Sequence, residues 1–402
     1  MSVPQVPAAP QGAVSATAPP QRRKVALLGL LALVLSLFVA TPASTQQVTP
    51  DGCDTIDRHI NLYAEVLEET PNPVNAPLGY GLAPGQATRP GPVIEMVEGE
   101  CLAITLHNNI PAEYLQATDG QTLGVSLHTH GVKYTIESDG TAHSNSVVPP
   151  GESRTYIWYA QPREVRGREV ISNGTAGYWW YHDHNVGDVH GSRGIPRGLA
   201  GALIVRRPGD PKPDKTFTVA FDSLNLINYR SYPATDNCDP VNPQPAHDCF
   251  VAKEGELVEF AVFSMGEFVH TFHLHGHNWA KTRTGIPDWD RRDDPVLEDN
   301  HIMAAGDSFG FMTRAGHSSG PGSWMLHCHV GSHAAAGMWT FFHVLDENGQ
   351  MSHLEHKMTP GFEALDDGGA PAAAAAADGP QLVPQSAPSG GRDDSILRST
   401  RG

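Results

Sequence analysis

Short segments of alternating apolar and polar residues run through the first half of the chain. They are separated by Gly, Pro and Asn, and they fall at residues 60–66, 101–107, 155–159 and 201–205. Because successive side chains of a strand point to opposite faces, such alternation predicts strands with one buried face. Short strands at this spacing favour an all-β sandwich. A stretch rich in Pro, Gly, Asp and Lys at 208–215 interrupts the pattern, and we interpret it as a linker between domains.

The second half of the chain repeats the pattern. Strand-like runs return at 217–221, 257–263, 308–313 and 338–345, and no long helical periodicity competes with them. The sequence therefore predicts an all-β protein with a first β-sandwich at residues 53–208 and a second at 213–348. Residues 361–402 are rich in Ala, Gly, Pro and Ser and too poor in bulky apolar side chains to build a core. We expect a disordered tail there.

The N-terminal segment has the layout of a signal peptide. Arg22, Arg23 and Lys24 precede an apolar run at 25–40, and small residues follow up to position 44. The run is shorter than the ~20 apolar residues of a membrane span. We therefore predict that residues 1–44 are a signal peptide and that the protein is secreted, with an uncleaved anchor as the alternative. The Arg22-Arg23 pair leaves open whether export uses a twin-arginine route.

The net charge of the chain bears on its binding partners, and the number of cysteines bears on its cellular compartment. A formal charge of −17 disfavours binding to nucleic acid or to an anionic membrane surface. Five cysteines fit an oxidising destination if four of them form disulfides and one is kept for chemistry. Cys53, Cys101, Cys238 and Cys249 allow three pairings. We prefer Cys238 with Cys249, which would close a Pro-rich loop.

Histidines fall in four clusters with repeated spacing. The clusters are His128-x-His130-Gly, His182-x-His184, His270-x-x-His273-x-His275-Gly and His327-Cys328-His329, the last followed by His333 and Met338. Residues two apart in a strand face the same side, so each His-x-His pair can direct two imidazoles at one point. A single pair of this kind is commonly a surface or core feature. Four clusters with matching spacing in two sandwich-like halves indicate metal sites.

The fourth cluster indicates copper. Imidazole binds copper, zinc or iron, and a thiolate together with a thioether shifts the preference toward copper. Two histidines, one cysteine and a distant methionine form a blue-copper site, and Cys328, His333 and Met338 supply three of these ligands. His270 is the candidate for the fourth, because in an extended segment it leaves the face shared by the next two histidines of its cluster.

Cys328 also lies between two further candidate ligands. In a strand, His327 and His329 point to one face and Cys328 to the other. A metal held by the Cys328 sulfur would thus be linked through a few backbone bonds to a second metal site.

The order of these motifs resembles the four copper-binding motifs of the multicopper oxidases. The chain has room for two domains and the cysteine-containing site lies in the second, which is similar to the small two-domain bacterial laccases over residues 55–348. The resemblance implies two cupredoxin-like Greek-key β-sandwich domains and about four coppers per chain. It assigns the type 1 copper to His270, Cys328, His333 and Met338, the type 2 copper to His128 and His273, and the type 3 pair to His130, His182, His184, His275, His327 and His329.

The resemblance also implies roles outside the ligand set. Asp139 resembles an acid that helps to deliver protons near the type 2 copper, and Tyr134 resembles a tyrosine that is oxidised transiently. A turn-forming Asp before Gly and a packing Tyr are the alternatives. His190 is a candidate partner for a ligating imidazole, whose second nitrogen needs to be held.

Six acidic residues follow the His270 cluster in one loop region: Asp288, Asp290, Asp293, Asp294, Glu298 and Asp299. They could accept a phenol proton or attract cations, although a solvated loop explains most of them.

These features predict a copper enzyme that removes one electron at a time from phenols and related aromatic donors and reduces dioxygen to water. Electrons would pass from the type 1 copper through Cys328 and the adjacent His327 and His329 to the other three coppers. No Gly-rich dinucleotide or phosphate motif is evident in the sequence, so copper is the expected cofactor.

Three alternatives remain open. A cuprous-ion oxidase shares every motif, although such enzymes often carry Met-rich segments and the nine methionines here are scattered. A copper nitrite reductase needs only a mononuclear type 2 site, and in that family the type 1 ligands fall in the first domain. A copper-storage protein would not require a thiolate between two histidines.

The distribution of the cluster histidines bears on assembly. Four lie in each predicted domain, and a short linker joins the two domains directly. By resemblance to small laccases we expect a homotrimer, with each cluster between the first domain of one chain and the second domain of its neighbour. A cluster formed within one chain is the alternative.

Overall fold

The computed structural model describes residues 48–236, 238, 249–287 and 296–350. The predicted signal peptide at 1–44 and the predicted tail at 361–402 lie outside the described residues. Twenty strands and five short helices occur in the described part of the chain, which confirms the all-β prediction. No helix in these ranges is both long and apolar enough to cross a membrane.

Ten strands form the first half of the protein. They are β1 (Arg58–Val66), β2 (Leu78–Gly81), β3 (Gly91–Val97), β4 (Cys101–Asn108), β5 (His128–Thr129), β6 (Ser153–Tyr159), β7 (Arg163–Arg166), β8 (Glu169–Asn173), β9 (Gly177–His182) and β10 (Ala200–Arg206). Two four-stranded sheets have the orders β2-β1-β4-β6 and β3-β10-β9-β5, and β7 and β8 form a separate hairpin. The alternation predicted the core correctly, since Leu62, Ile104 and Trp158 are buried between the sheets.

Ten further strands form the second half. They are β11 (Lys215–Phe221), β12 (Phe250–Lys253), β13 (Leu257–Ser264), β14 (His270–Leu274), β15 (Trp279–Ala280), β16 (Leu297–Glu298), β17 (Asn300–Met303), β18 (Ser308–Arg314), β19 (Gly322–Cys328) and β20 (Trp339–Leu345). Sheets of order β11-β13-β18 and β12-β20-β19-β14-β17 pack face to face, and β15 pairs with β16. The helices are α1 (Gly331–Ala335) and four 3-10 turns, Pro73–Asn75, Ala112–Tyr114, Ile136–Ser138 and Ile195–Arg197.

The core of the second sandwich is rich in aromatic side chains. Phe260, Phe272 and Phe342 are fully buried there, together with Cys328 and Met338. The thiol and the thioether therefore lie in apolar surroundings that exclude water. The sheets divide at residues 207–214, which overlap the predicted linker at 208–215, while the domain boundaries themselves stay predictions.

The two sandwiches contact each other through a separate apolar cluster. Trp180 and Ile204 of the first sandwich pack there with Ala261 and Phe263 of the second. The Trp180 and Phe263 rings stack with their centroids 5.5 Å apart. Burial of these side chains fixes the orientation of one sandwich on the other.

A buried carboxylate joins the same contact. Glu259 of β13 is fully buried and accepts hydrogen bonds from the Tyr178 hydroxyl at 2.8 Å and from Arg206 at 2.8 Å. Tyr178 and Arg206 belong to β9 and β10 of the other sandwich. Burial, followed by the Glu259 charge, raises the pKa of the Tyr178 hydroxyl, which therefore remains a hydrogen-bond donor.

The Glu259→Ala variant is expected to be strongly destabilised. Removing Glu259 leaves the buried Tyr178 hydroxyl without its acceptor and leaves Arg206 with only the half-exposed Glu95 as an ion-pair partner, at a cost of about 3 kcal/mol in the free energy of unfolding. Denaturant unfolding measures this cost. Glu164→Ala is the control, because the Glu164–Arg166 pair is exposed and should contribute less than about 1 kcal/mol. Equal losses in the two variants would contradict the role of Glu259.

Four cysteines form two disulfides. Cys53 pairs with Cys101, and Cys238 pairs with Cys249, with Cα atoms 5.6 and 4.8 Å apart. The preferred Cys238–Cys249 pairing is thus confirmed. Cys328 is the one cysteine outside the disulfides, and it is buried.

Candidate metal centres

Strands β14 and β19 present candidate ligands on both faces of one sheet. The two strands pair antiparallel, with His273 opposite His327 and Phe272 opposite Cys328. Alternation sends His270 and Cys328 into the core, where both are fully buried, and sends His273 and His327 to the other face. One pair of strands therefore carries two ligand sets, separated by the thickness of its own backbone.

The inward set is a compact triangle of two imidazoles and a thiol. The Cys328 Sγ lies 3.8 Å from His270 Nδ1 and 3.6 Å from His333 Nδ1, and the two nitrogens are 3.2 Å apart. With metal–nitrogen and metal–sulfur bonds of about 2.0 and 2.3 Å, three ligands in a trigonal arrangement would stand about 3.5 to 3.7 Å apart. The triangle fits a blue-copper ligand set.

Met338 lies at the same site. Helix α1 carries His333, and the Met338 N–H bonds the His333 carbonyl at 3.1 Å. The Met338 carbonyl in turn accepts from the Cys328 N–H at 3.1 Å. The structure thus brings His270, Cys328 and His333 together and places the backbone of Met338 beside them.

Burial keeps the inward imidazoles neutral. It lowers the pKa of His270 to about 4, with a smaller contribution from the neighbouring His333. Burial also lowers the pKa of His333. A neutral imidazole has a free nitrogen lone pair, so both side chains are prepared to bind a metal at neutral pH.

The outward set consists of His273, His275, His327 and His329. The Nε2 atoms of His275 and His327 are 3.2 Å apart, and His327 Nδ1 donates to the Cys328 carbonyl at 2.9 Å. His275 and His329 are exposed. This set is therefore an open, surface-facing group of imidazoles.

An equivalent set lies in the first sandwich: His128, His130, His182 and His184. His128 faces His182 across β5 and β9, and the Nε2 atoms of His130 and His182 are 3.2 Å apart. Burial lowers the pKa of His130 to about 4, and the neighbouring His128 adds to the shift. The buried Nδ1 of His184 has no hydrogen-bond partner in the described part of the chain. The neutral imidazole of His130 and the unpaired nitrogen of His184 both fit metal binding.

The two outer sets share the same internal geometry but form separate groups. Ligand atoms of His128, His130 and His182 lie within 4.8 Å of one another, as do those of His273, His275 and His327. Among the described residues no ring contact joins a histidine of one set to a histidine of the other. Within one chain, the predicted type 2 and type 3 ligands are therefore two half-sites.

The first-sandwich set lines a cleft of 860 Å³. Its opposite wall comes from loops of the second sandwich, including Asp222, Leu224, Met265 and Gly306. Burial raises the pKa of Asp222 to about 6.

Asp139 and Tyr134 lie beside His128, while their roles stay predictions. The Asp139 carbonyl accepts from His128 Nδ1 at 2.6 Å, and its carboxylate lies 3.8 Å from the same nitrogen. Thr141 donates to that carboxylate at 2.5 Å. Burial raises the pKa of Tyr134, as do the charge of Asp139 and its hydrogen bond with the tyrosine. His190, the predicted outer partner, contacts the His184 ring at 4.7 Å between centroids.

Asp299 is a site residue that the sequence placed only among loop acids. Its carbonyl accepts from His273 Nδ1 at 2.7 Å, and its carboxylate lies 4.0 Å from that nitrogen. This repeats the relation of Asp139 to His128, and no spacing in the sequence signals it. Glu298 instead binds Lys281 and His301, while Asp288, Asp290, Asp293 and Asp294 lie outside the described residues.

Comparison with protein families gives two adjoining matches. Family models that are both described as multicopper oxidase match residues 86–210 and residues 211–348. Together the matched residues contain all four histidine clusters and Cys328.

Individual relatives match over part of their length. A protein of Kuenenia stuttgartiensis described as a probable nitrite reductase-hydroxylamine oxidoreductase fusion protein is 31% identical over 299 residues, which cover 71% of this chain and 31% of that protein. Ceruloplasmin of Rattus norvegicus is 29% identical over 254 residues, which cover 55% of this chain and 21% of that protein. The chain thus spans about a third or less of the length of these two relatives.

Solved structures with a similar fold include two from Nitrosomonas europaea. A blue copper oxidase has a TM-score of 0.48 and 22% identity, covering 72% of this chain and 86% of that one. A copper nitrite reductase has a TM-score of 0.48 and 16% identity, covering 73% of this chain and 95% of that one.

Proposed function

Because this chain belongs to the multicopper oxidase family, we propose that it is a secreted laccase. It takes single electrons from phenols and related aromatic donors and reduces dioxygen to water. Four such electrons and four protons convert one dioxygen into two waters.

One observation carries the oxidase assignment, namely the two ligand sets on opposite faces of β19. Cys328 points inward to His270 and His333, while its chain neighbours His327 and His329 point outward. Through-bond contact between an inward and an outward set is what an enzyme needs if it collects electrons at one place and uses them at another. A storage protein has no use for that connection.

The inward and outward sets of residues would hold different coppers. His270, Cys328, His333 and Met338 would hold one copper, and the eight histidines of the two outer sets would hold three. Copper bound there supplies the one-electron redox chemistry for phenol oxidation and dioxygen reduction. Asp139 lies close enough to His128 and Tyr134 to hold and pass protons at its carboxylate.

The surroundings of His333 favour an aromatic donor over a metal cation. The Phe268 ring lies 6.2 Å from the His333 ring and is 50% exposed, next to the half-exposed Val269. No described carboxylate lies close enough to shift the pKa of His270 or His333. Ferrous or cuprous ions need oxygen or sulfur ligands of their own at the electron-entry point, whereas a phenol ring can pack on Phe268.

Nitrite reduction is the second candidate, because the Kuenenia stuttgartiensis relative is described as a probable nitrite reductase fusion. Against it stand the eight outer histidines, where a mononuclear site needs three, and the Cys328 set in the second sandwich rather than the first.

A substrate panel distinguishes these activities. The copper-loaded protein from the culture medium is assayed with an oxygen electrode against phenols, ferrous ion and cuprous ion, and anaerobically with nitrite. We expect oxygen uptake with phenols at least about 10-fold faster than with either cation, the factor that corresponds to about 1.4 kcal/mol in the barrier, and no nitrite loss. Faster turnover of a cation would make the protein a metal-ion oxidase, and nitrite consumption would make it a nitrite reductase. A mature N-terminus near residue 45 would support export through the signal peptide.

We also propose a head-to-tail homotrimer, which would complete the half-sites. His275 and His329 are exposed, and Ile302, on the same face of the neighbouring β17, is 67% exposed. Exposed apolar residues beside an open ligand set are typical of an interface. The cleft at the first-sandwich set, with exposed Leu224 in its wall, is the complementary surface on the next chain.

A further inference from the structure

Two three-residue segments occupy equivalent places in the two sandwiches: His182-Asp183-His184 and His327-Cys328-His329. In each, the Nδ1 of the first histidine donates to the carbonyl of the middle residue, at 2.8 Å for His182 and 2.9 Å for His327. In each, the Nε2 of that histidine is 3.2 Å from a histidine of the facing motif. Asp183 therefore stands in the first sandwich where Cys328 stands in the second.

The Asp183 carboxylate is fully buried and bound by backbone N–H groups. Oδ1 accepts from Ser126 at 2.8 Å, and Oδ2 accepts from Asn185 at 3.1 Å and from Val186 at 2.7 Å. Three charge-assisted hydrogen bonds in a buried place fix a backbone more firmly than neutral ones do. The carboxylate thus ties the chain after His184 to the chain before His128.

Ser126 extends this link to both histidine motifs. Its hydroxyl accepts from the His184 N–H at 2.8 Å and lies 3.5 Å from Asp183 Oδ1. Ser126 comes two residues before His128, whereas Asp183 lies between His182 and His184. The network therefore fixes the backbone of one His-x-His motif relative to the other.

In the second sandwich, a bound metal would hold the corresponding strands together. There Cys328 and His270 face each other across β14 and β19 with their ligand atoms 3.8 Å apart, so that a bound metal would join the two strands. In the first sandwich, the position three residues before His128 is Val125, a buried apolar residue, where the second has His270 three residues before His273. Val125 offers no metal ligand, so a metal could not link the two strands of the first sandwich at this position. Another cross-link must hold them.

We infer that Asp183 is a positioning residue for the metal-binding histidines of the first sandwich, where its carboxylate does the work that a metal-bound Cys328 does in the second. The inference rests on the proposed copper site at these histidines. Asp183 itself touches neither metal nor substrate, and it acts by holding the two His-x-His motifs in register.

The Asp183→Asn variant tests the inference with little change of shape. An amide group in place of Oδ2 would direct N–H toward the N–H groups of Asn185 and Val186, leaving buried donors unpaired. Loss of a residue that orients metal ligands typically lowers metal affinity by roughly 10- to 100-fold. The matched control is Asn108→Asp, the reverse exchange at a fully buried residue of the same sandwich that bonds the Ile110 N–H and the Val148 carbonyl.

Copper affinity at each site is the measurement. Wild-type and variant proteins are titrated with a copper chelator while metal content and blue absorbance are followed. We expect Asp183→Asn to release the outer coppers at roughly 10- to 100-fold lower chelator concentration and to keep its blue absorbance, because Cys328 lies in the other sandwich. Asn108→Asp should lower the melting temperature without selective release.

Ser126→Ala is the second variant, in case Asp183→Asn does not fold, and it should shift release in the same direction by a smaller factor. The inference is overturned if wild-type protein binds about four coppers and both Asp183→Asn and Ser126→Ala retain them at the wild-type chelator concentration. It is equally overturned if Asn108→Asp releases the outer coppers as readily as Asp183→Asn. A wild-type protein that binds no copper would instead refute the proposed function.

Discussion

The Cys328→Ser variant is expected to lose both the blue colour and phenol oxidation while it keeps the other coppers. A serine hydroxyl offers no soft thiolate to copper at neutral pH, and His270 and His333 alone cannot complete the inward set. Activity should fall by more than about 100-fold, and the copper content from about four to about three per chain. Visible absorbance, metal analysis and oxygen uptake with a phenol measure the three effects.

Met338→Leu is the matched control at the same site. Its side chain is also buried in the second core, but an axial thioether contact is weak, so this variant should stay blue and show a changed reduction potential. Cys328→Ser protein that oxidised phenols at the wild-type rate would refute the electron path through the thiolate. Loss of the blue copper from Met338→Leu would contradict the axial role of Met338.

Co-expression of two inactive variants is expected to restore activity if the outer sites form between chains. His130→Ala removes a ligand from the first sandwich and His275→Ala removes one from the second, so each variant alone should be inactive. In a mixed ring, one junction pairs an intact first sandwich with an intact second sandwich of the neighbouring chain. Oxygen uptake by purified mixed oligomers should therefore reach a substantial fraction of the wild-type rate, up to about a third for one intact junction in a ring of three.

The control for this experiment uses two changes in the same sandwich. His130→Ala co-expressed with His182→Ala leaves no intact first sandwich in any ring, and activity should not return. If mixed oligomers of His130→Ala and His275→Ala form and remain inactive, the clusters lie within single chains and the shared-site proposal is wrong.

Alternation along the chain predicted eight of the twenty strands in the described residues, and it predicted the faces that carry the ligands. His270 and His273 differ by three positions, and the register of β14 on β19 indeed sends them to opposite sides of the sheet. Whether two residues of one strand face the same side depends only on their spacing, so the sequence alone is enough to predict it. The grouping of His270, Cys328, His333 and Met338 needed the family resemblance in addition, because no local rule brings β14 to β19.

Two residues that position the histidines, Asp299 and Asp183, were not predicted for these roles, and each omission has a physical reason. Asp299 accepts from His273 through its carbonyl, a group that every residue has, so its identity carries little signal. Asp183 had a visible place between two histidines, but its partner Ser126 lies 57 positions away. The cleft beside the first-sandwich histidines depends on how three separate loops of the second sandwich pack against the first, and no pattern in the sequence encodes that packing.

The contact through Trp180, Phe263 and Glu259 fixes the angle at which one chain presents its cleft and its open histidine face. In a head-to-tail ring, that angle determines the rotation from each chain to the next, and hence how many chains pass before the ring closes. In the proposed ring, a contact inside the protomer would therefore set the number of subunits, and Trp180 belongs both to this contact and to the wall of the cleft. In the proposed ring, a substitution at this contact that changed the angle would change the number of subunits or open the ring into a filament.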